Sequence, residues 1–337
     1  MMRSVPIPRL VLGIATLATL ACVDDPRSRI TAPDRDVISA AATTSSWSTP
    51  VGLGPTINTT FNEQQPAVSK DGLALYFMSN RPEHANDAAL DNNIWIARRD
   101  CIGCPWGTPR LLPPPVNGPA NDNTPSLSRD EHLLFFSSTR PGGSGGNDVW
   151  VASREHVHDD FGWSSAVPLG PGINTAANEN GPSHFENDEG GAPQLYFNRQ
   201  TGPGGGGPAG DILVSTLGDD GAWSDAVLVD ELNSPQADQR ASIRHDGRAI
   251  YFWSGRDAGS GILGEGFLWY AVRDDVEDPW SAPRLVESPI ADRSSIQPVV
   301  HLRGGTETLY FVHNMLGPDG LDLDIVTSSR RRDASSP

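Results

Sequence analysis

The chain is patterned by short apolar runs. Five of them share one form: "LALYFMS", "HLLFFSS", "QLYFNR", "AIYFWS" and "TLYFVH". Each is rich in aromatic and aliphatic residues, is preceded by a polar turn such as "SKDG" or "RHDG", and is too short for a helix. A second set follows downstream: "NIWIARR", "DVWVASR", "DILVSTL", "FLWYAVR" and "DIVTSSR". No segment keeps a helical apolar period over ten or more residues, so the pattern predicts strands throughout.

The runs recur on a fixed period. Trp47, Trp106, Trp163, Trp223 and Trp280 lie 59, 57, 60 and 57 residues apart and open the phrases "WSTPVGL", "WGTPRLL", "WSSAVPL", "WSDAVLV" and "WSAPRLV". Each unit holds four strand-like segments separated by Asp-Gly, Gly-Gly or Pro signals. The first copy opens with a tryptophan strand, whereas none follows the last "DIVTSSR". One strand is spare at the front and one is missing at the back. The expected fold is all-β: a five-bladed β-propeller of four-stranded blades over about 47–330, closed by the N-terminal strand completing the last blade.

"PAVSKDGLALYFMSNRP" with "DNNIWIARR", and "PSLSRDEHLLFFSSTRPGGSGGNDVWVASR", resemble the WD40-like propeller repeat of TolB-type periplasmic proteins. The resemblance implies a propeller that recognises a partner at the cell envelope, a protein or a peptidoglycan-type glycan, through one face. It fixes no activity, because one fold hosts many functions.

The N-terminus reads as an export signal. Arg3 and Arg9 precede an apolar stretch, Leu10 to Leu20, that ends in "TLAC". Eleven residues are too few to span a bilayer but suit a signal peptide. A cleavage site before Cys22 resembles the bacterial lipoprotein signal, which implies lipidation of Cys22 and, with Val23 next, an outer-membrane location facing the periplasm or the cell surface. Residues 1–22 are thus expected to be signal, 23–46 a flexible tether and 331–337 a disordered tail. Cys101 and Cys104 are then the two other cysteines; a local disulfide, thiols, or redox or metal chemistry are the readings of "CIGC".

Composition narrows the partners. A net charge of −17 excludes a nucleic-acid footprint. Gly and Pro together make up about a fifth of the chain, which fits long loops, and nine tryptophans supply apolar area to bury. A monomer is expected, touching the membrane only through its lipid.

The glycine-rich loop "RPGGSGGND" lacks the lysine and hydroxyl of a phosphate-binding loop, and its counterpart "RPEHANDAALDN" keeps Arg81 but not the glycines. It reads as a hairpin. Arg81, Arg140 and Arg256 share a repeat position, with Arg199 displaced by one; Asp148, Asp211 and Asp324, with Asn93, head the following strand. These arginines and aspartates are expected to bond within each blade.

Glu63, Asp122, Glu179 and Asp238 stand three residues before the expected start of each innermost strand, with Ser295 in the fifth copy. They either cap their own loops or ring one mouth of the channel, where shared negative potential would suit a divalent cation or a basic partner. No other cofactor is expected. Because these acids are equivalent by repeat, they lack the distinct surroundings that a catalytic pair needs. The reading is a non-catalytic envelope binding module, and the alternative is a five-bladed carbohydrate-active hydrolase with channel carboxylates.

Overall fold

A computed structural model describes residues 46–82, 91–187, 190–200, 210–259, 266–317 and 320–332. Cys22, the signal segment, the tether up to residue 45 and the tail from 333 lie outside the described residues.

Twenty strands form five separate four-stranded antiparallel sheets. Blade 1 holds β2 (Glu63–Val68), β3 (Ala74–Ser79), β4 (Asn93–Arg98) and β5 (Arg110–Leu111). Blade 2 holds β6 (Asp122–Leu127), β7 (Leu133–Ser138), β8 (Asp148–Ser153) and β9 (Val167–Pro168). Blade 3 holds β10 (Asn178–Phe185), β11 (Gln194–Gln200), β12 (Gly210–Thr216) and β13 (Val227–Leu228). Blade 4 holds β14 (Asp238–Ile243), β15 (Ala249–Ser254), β16 (Phe267–Val272) and β17 (Arg284–Leu285). Blade 5 holds β18 (Ser295–Arg303), β19 (Thr306–Gly317) and β20 (Gly320–Arg331), and its outer strand is β1 (Val51–Gly52) from the other end of the chain. The fold is the expected five-bladed propeller, closed by β1 pairing with β20 through Val51–Thr327 and Gly52–Val326.

The middle strands explain the apolar runs. Both faces of β3, β7, β11, β15 and β19 are covered by neighbouring blades, so these strands read as continuous rather than alternating hydrophobics. Tyr76, Phe77, Phe136, Phe197, Phe252 and Phe311 are all buried. The outer strands are two residues long and mostly exposed, which leaves little open edge.

Each repeating tryptophan precedes its outer strand and forms part of a joint with the preceding blade. In blade 5, Arg330 lies over the Trp47 ring at 4.4 Å and donates to the Tyr251 hydroxyl of blade 4 at 3.0 Å. Blade 2 repeats this with Arg154, Trp163 and Tyr76, and blade 1 with Arg99, Trp106 and Tyr310. Blade 4 places Arg273 over Trp280, whose ring meets Tyr196 edge-on. Blade 3 departs: Leu217 replaces the arginine and Phe135 the tyrosine, so both polar members vanish together. There His184 stacks on Phe135 at 4.8 Å instead.

Trp47→Ala removes the aromatic half of the closing joint. It is expected to cost about 3–5 kcal/mol of stability, as for other buried large-to-small changes, read from denaturant unfolding at constant m-value.

Candidate functional site

The inner strands β2, β6, β10, β14 and β18 surround the axial channel, and all five carry the same irregularity. Pairing with the second strand breaks between Gln64 and Ala67, Asn123 and Ser126, Asn180 and Ser183, Gln239 and Ser242, and Ile296 and Val299. At each break one residue has positive φ: Gln65 (54°), Thr124 (51°), Gly181 (63°), Arg240 (56°) and Gln297 (56°). Left-handed backbone is strained for a side-chain-bearing residue, and its fivefold recurrence marks a bulge that aims one residue per blade at the axis. The next residue is proline in four copies (Pro66, Pro125, Pro182 and Pro298) and Ala241 in the other. Proline's missing N–H suits a position that has left the ladder.

Together these residues form the waist of a cavity of about 180 Å³. Partners link part of the ring. Gln297 Oε1 accepts the Gln65 N–H at 2.9 Å, and Gln65 Oε1 accepts the Thr124 N–H at 2.6 Å. Below the waist the cavity runs to the turns that join the first and second strands. There it meets Lys70, Arg129, Glu131, Glu186, His184 and His301. Glu131 and Glu186 are the two carboxylic acids among the described lining residues. One Glu131 oxygen accepts the Lys70 N–H at 2.5 Å, and the other lies 3.7 Å from Arg154.

The four acids singled out in the sequence lie elsewhere. Glu63, Asp122, Glu179 and Asp238 are fully buried near the heads of the inner strands, and none lines the cavity. Each accepts from the loop leading into its blade: Thr59 N–H at 2.7 Å, Gly118 N–H at 2.8 Å, Thr175 hydroxyl at 2.6 Å and Ser234 N–H at 2.6 Å. Each also meets an arginine: Arg81 at 3.0 Å, Arg140 at 2.5 Å, Arg199 at 2.8 Å and Arg256 at 2.6 Å. Ser295 takes the place of the acid in blade 5 and is likewise buried.

The repeating arginines therefore pair with these upstream acids, not with Asp148, Asp211 or Asp324 across the hairpin. Asp148 instead accepts the N–H groups of Ser144 and Gly145. Asp211 sits at the head of β12, where burial and the nearby Asp238 raise its pKa. Asp324 pairs in register with His313. Among the described residues no three His, Cys, Asp or Glu side chains cluster as metal ligands. Cys101 and Cys104 are joined by a disulfide in the loop between β4 and β5.

His184, on the cavity wall in blade 3, has its pKa pushed down to about 4, chiefly by burial and against a smaller opposing effect of Asp130. The ring is therefore neutral at pH 7. Its 3.8 Å approach to Glu186 is too long for a hydrogen bond and is not an ion pair there.

No protein-family model and no curated protein sequence matches the chain. Solved structures do match. The catalytic domain of a GH62 α-L-arabinofuranosidase from Coprinopsis cinerea superposes with a TM-score of 0.58 at 10% identity, over 86% of this chain and 98% of that one. An exo-1,5-α-L-arabinanase from a bovine ruminal metagenomic library gives 0.57 at 12% identity, covering 83% of this chain and 97% of that one. A GH43 endo-arabinanase from Bacillus licheniformis gives 0.55 at 13% identity, covering 82% and 96%.

At such identity the likeness establishes the architecture alone. It nonetheless corrects the resemblance read from the repeats, because the structural neighbours are glycoside hydrolases rather than WD40-like or TolB-type proteins. The expectations of a non-catalytic binding module and of no enzymatic activity are overturned by the same finding. The repeat phrases encode what any blade needs, a turn, a buried strand and a tryptophan, and so they do not separate one propeller family from another.

Arg140→Met leaves the Asp122 carboxylate buried without its cation and is expected to cost about 3 kcal/mol. Adding Asp122→Asn should recover much of that loss in chemical denaturation. For His184 the unfolded ring takes up a proton below about pH 6.5, whereas the folded ring does so only near pH 4. Its contribution is thus intact above pH 6.5 and is lost as the pH falls towards 4. His184→Gln should flatten the fall of the unfolding midpoint across that window relative to wild type.

Proposed function

We propose that the chain is a carbohydrate-active hydrolase that cleaves a glycosidic bond within the axial cavity, with arabinose-containing glycans as its first candidate substrates. The observation that carries this reading is the pair Glu131 and Glu186. They project from adjacent blades at one end of one cavity and are the two carboxylic acids among its described lining residues. Hydrolysis of a glycosidic bond requires two carboxyl groups in different surroundings on either side of the scissile linkage.

Their surroundings do differ. Glu131 is oriented by the Lys70 N–H and by Arg154, as suits a base or nucleophile. Glu186 is more exposed and lies beside the neutral, buried His184, which suits a proton donor to the leaving group. The waist contributes amides and a hydroxyl from Gln65, Gln297 and Thr124, which suit sugar hydroxyls. The likeness to arabinanases and an arabinofuranosidase supports both the reaction class and the choice of sugar.

Released reducing ends should appear when the protein is incubated with arabinan or arabino-oligosaccharides. Glu131→Gln and Glu186→Gln should each lower kcat at least 100-fold with little change in KM. Equal activity in both variants and wild type, or no cleavage across a panel of arabinosides, would refute the assignment.

A further inference from the structure

Arg240 is the anomaly of the waist. Four of the five bulge positions carry Gln65, Thr124, Gly181 and Gln297, which are neutral; the fifth carries a cation. Its backbone N–H donates to Asn198 Oδ1 at 3.3 Å, but its guanidinium has no hydrogen bond or ion pair among the described residues. The Nη1 atom is buried without a partner. The residue is partly exposed and lines the cavity. Burial alone, with no neighbouring carboxylate, draws its pKa down to about 10, so it stays charged at neutral pH.

The ring's own bonding does not account for an arginine here. From Gln297 to Gln65 to Thr124, each glutamine carbonyl oxygen accepts the bulge N–H of the following blade. A glutamine at 240 could extend that pattern towards Gln297. Arginine cannot, because it has donors only. A cation with a buried, unpartnered Nη1 and no counter-charge also lowers stability. Next to it Gly181 has no side chain, and a Cβ there would come within 3.1 Å of Arg240 Cδ. The glycine makes room for the arginine stem.

Every arginine at a blade head has its acid, and Arg98, Arg154, Arg244 and Arg330 have theirs. This one faces a sugar-sized cavity. We infer that Arg240 recognises a carboxylate carried by the ligand, making the waist a subsite for a uronic acid residue of the glycan.

This inference rests on the proposed glycan-cleaving function and specifies its substrate class. A uronate held at Arg240 keeps its charge away from Glu131 and Glu186. Those two acids lie beyond the waist, at the turns after the inner strands, seven residues past Thr124 and five past Gly181. The linkage presented to them would then belong to a neutral sugar further along the glycan.

The test is calorimetric titration of the full-length protein with an oligogalacturonate, with its carboxyl-reduced neutral counterpart, and with acetate and phosphate. Wild type should bind the acidic oligosaccharide at least tenfold more tightly than the neutral one and more tightly than either simple anion. Arg240→Gln should abolish that preference while leaving neutral binding unchanged. It should also unfold at a temperature no lower than wild type, since it removes an unpaired buried charge; this excludes misfolding as the cause. Glu131→Gln should retain the preference for uronate.

Equal binding of acidic and neutral oligosaccharides, or an Arg240→Gln protein that still prefers uronate, overturns the inference. Simple anions that bind as tightly as the oligosaccharide reduce Arg240 to a generic anion contact and overturn it too. Absent cleavage with the uronate preference intact would count against the hydrolase reading alone.

Discussion

The contact on which the channel depends is the buried carboxylate–arginine pair near the head of four inner strands. Glu63, Asp122, Glu179 and Asp238 each tie three separate stretches of chain together. These are the loop arriving from the previous blade, the inner strand itself and the arginine at or just past the end of the second strand. A buried ion pair contributes little net energy when set against an apolar replacement, yet it is costly to break. Its effect is therefore to fix geometry. With the inner strand anchored at its head, the bulge falls at the same height in every blade, and the five waist residues meet at the axis.

The same pairing explains an electrostatic inversion. The chain is strongly acidic, at −17, but four prominent repeated acids are spent inside the blades against arginines. The waist is left with neutral groups and one cation, Arg240. A net charge describes the outer field of a protein and says little about one enclosed cavity.

Much of the architecture was legible because it is repetitive. The tryptophan period, the buried second strands and the unequal ends together implied five blades and the closure through β1. The site was less legible, for two physical reasons. Arginine and aspartate bracket each hairpin in sequence, so the eye pairs them, yet the arginine reaches back to an acid on the neighbouring inner strand (Arg140 to Asp122, for example). The waist positions share no residue type at all, since Gln, Thr, Gly, Arg and Gln have only their backbone in common. The signal present was the proline after four of them. Glu131 and Glu186 belong to no repeat position that catches attention, and only the turning of the chain brings them onto one cavity.

The closure carries a kinetic consequence. Ser48 and Ser328 hydrogen-bond across 280 positions of chain, and β1 can pair only after β20 exists. Bringing the ends of so long a segment together costs about 5 kcal/mol in the simplest loop-entropy treatment, and such distant contacts slow folding. The first four blades can each assemble locally from consecutive strands, whereas the fifth must wait for the last. Until β20 has been made the ring is therefore open and β1 unpaired, and the cavity acquires its full wall only with the fifth blade.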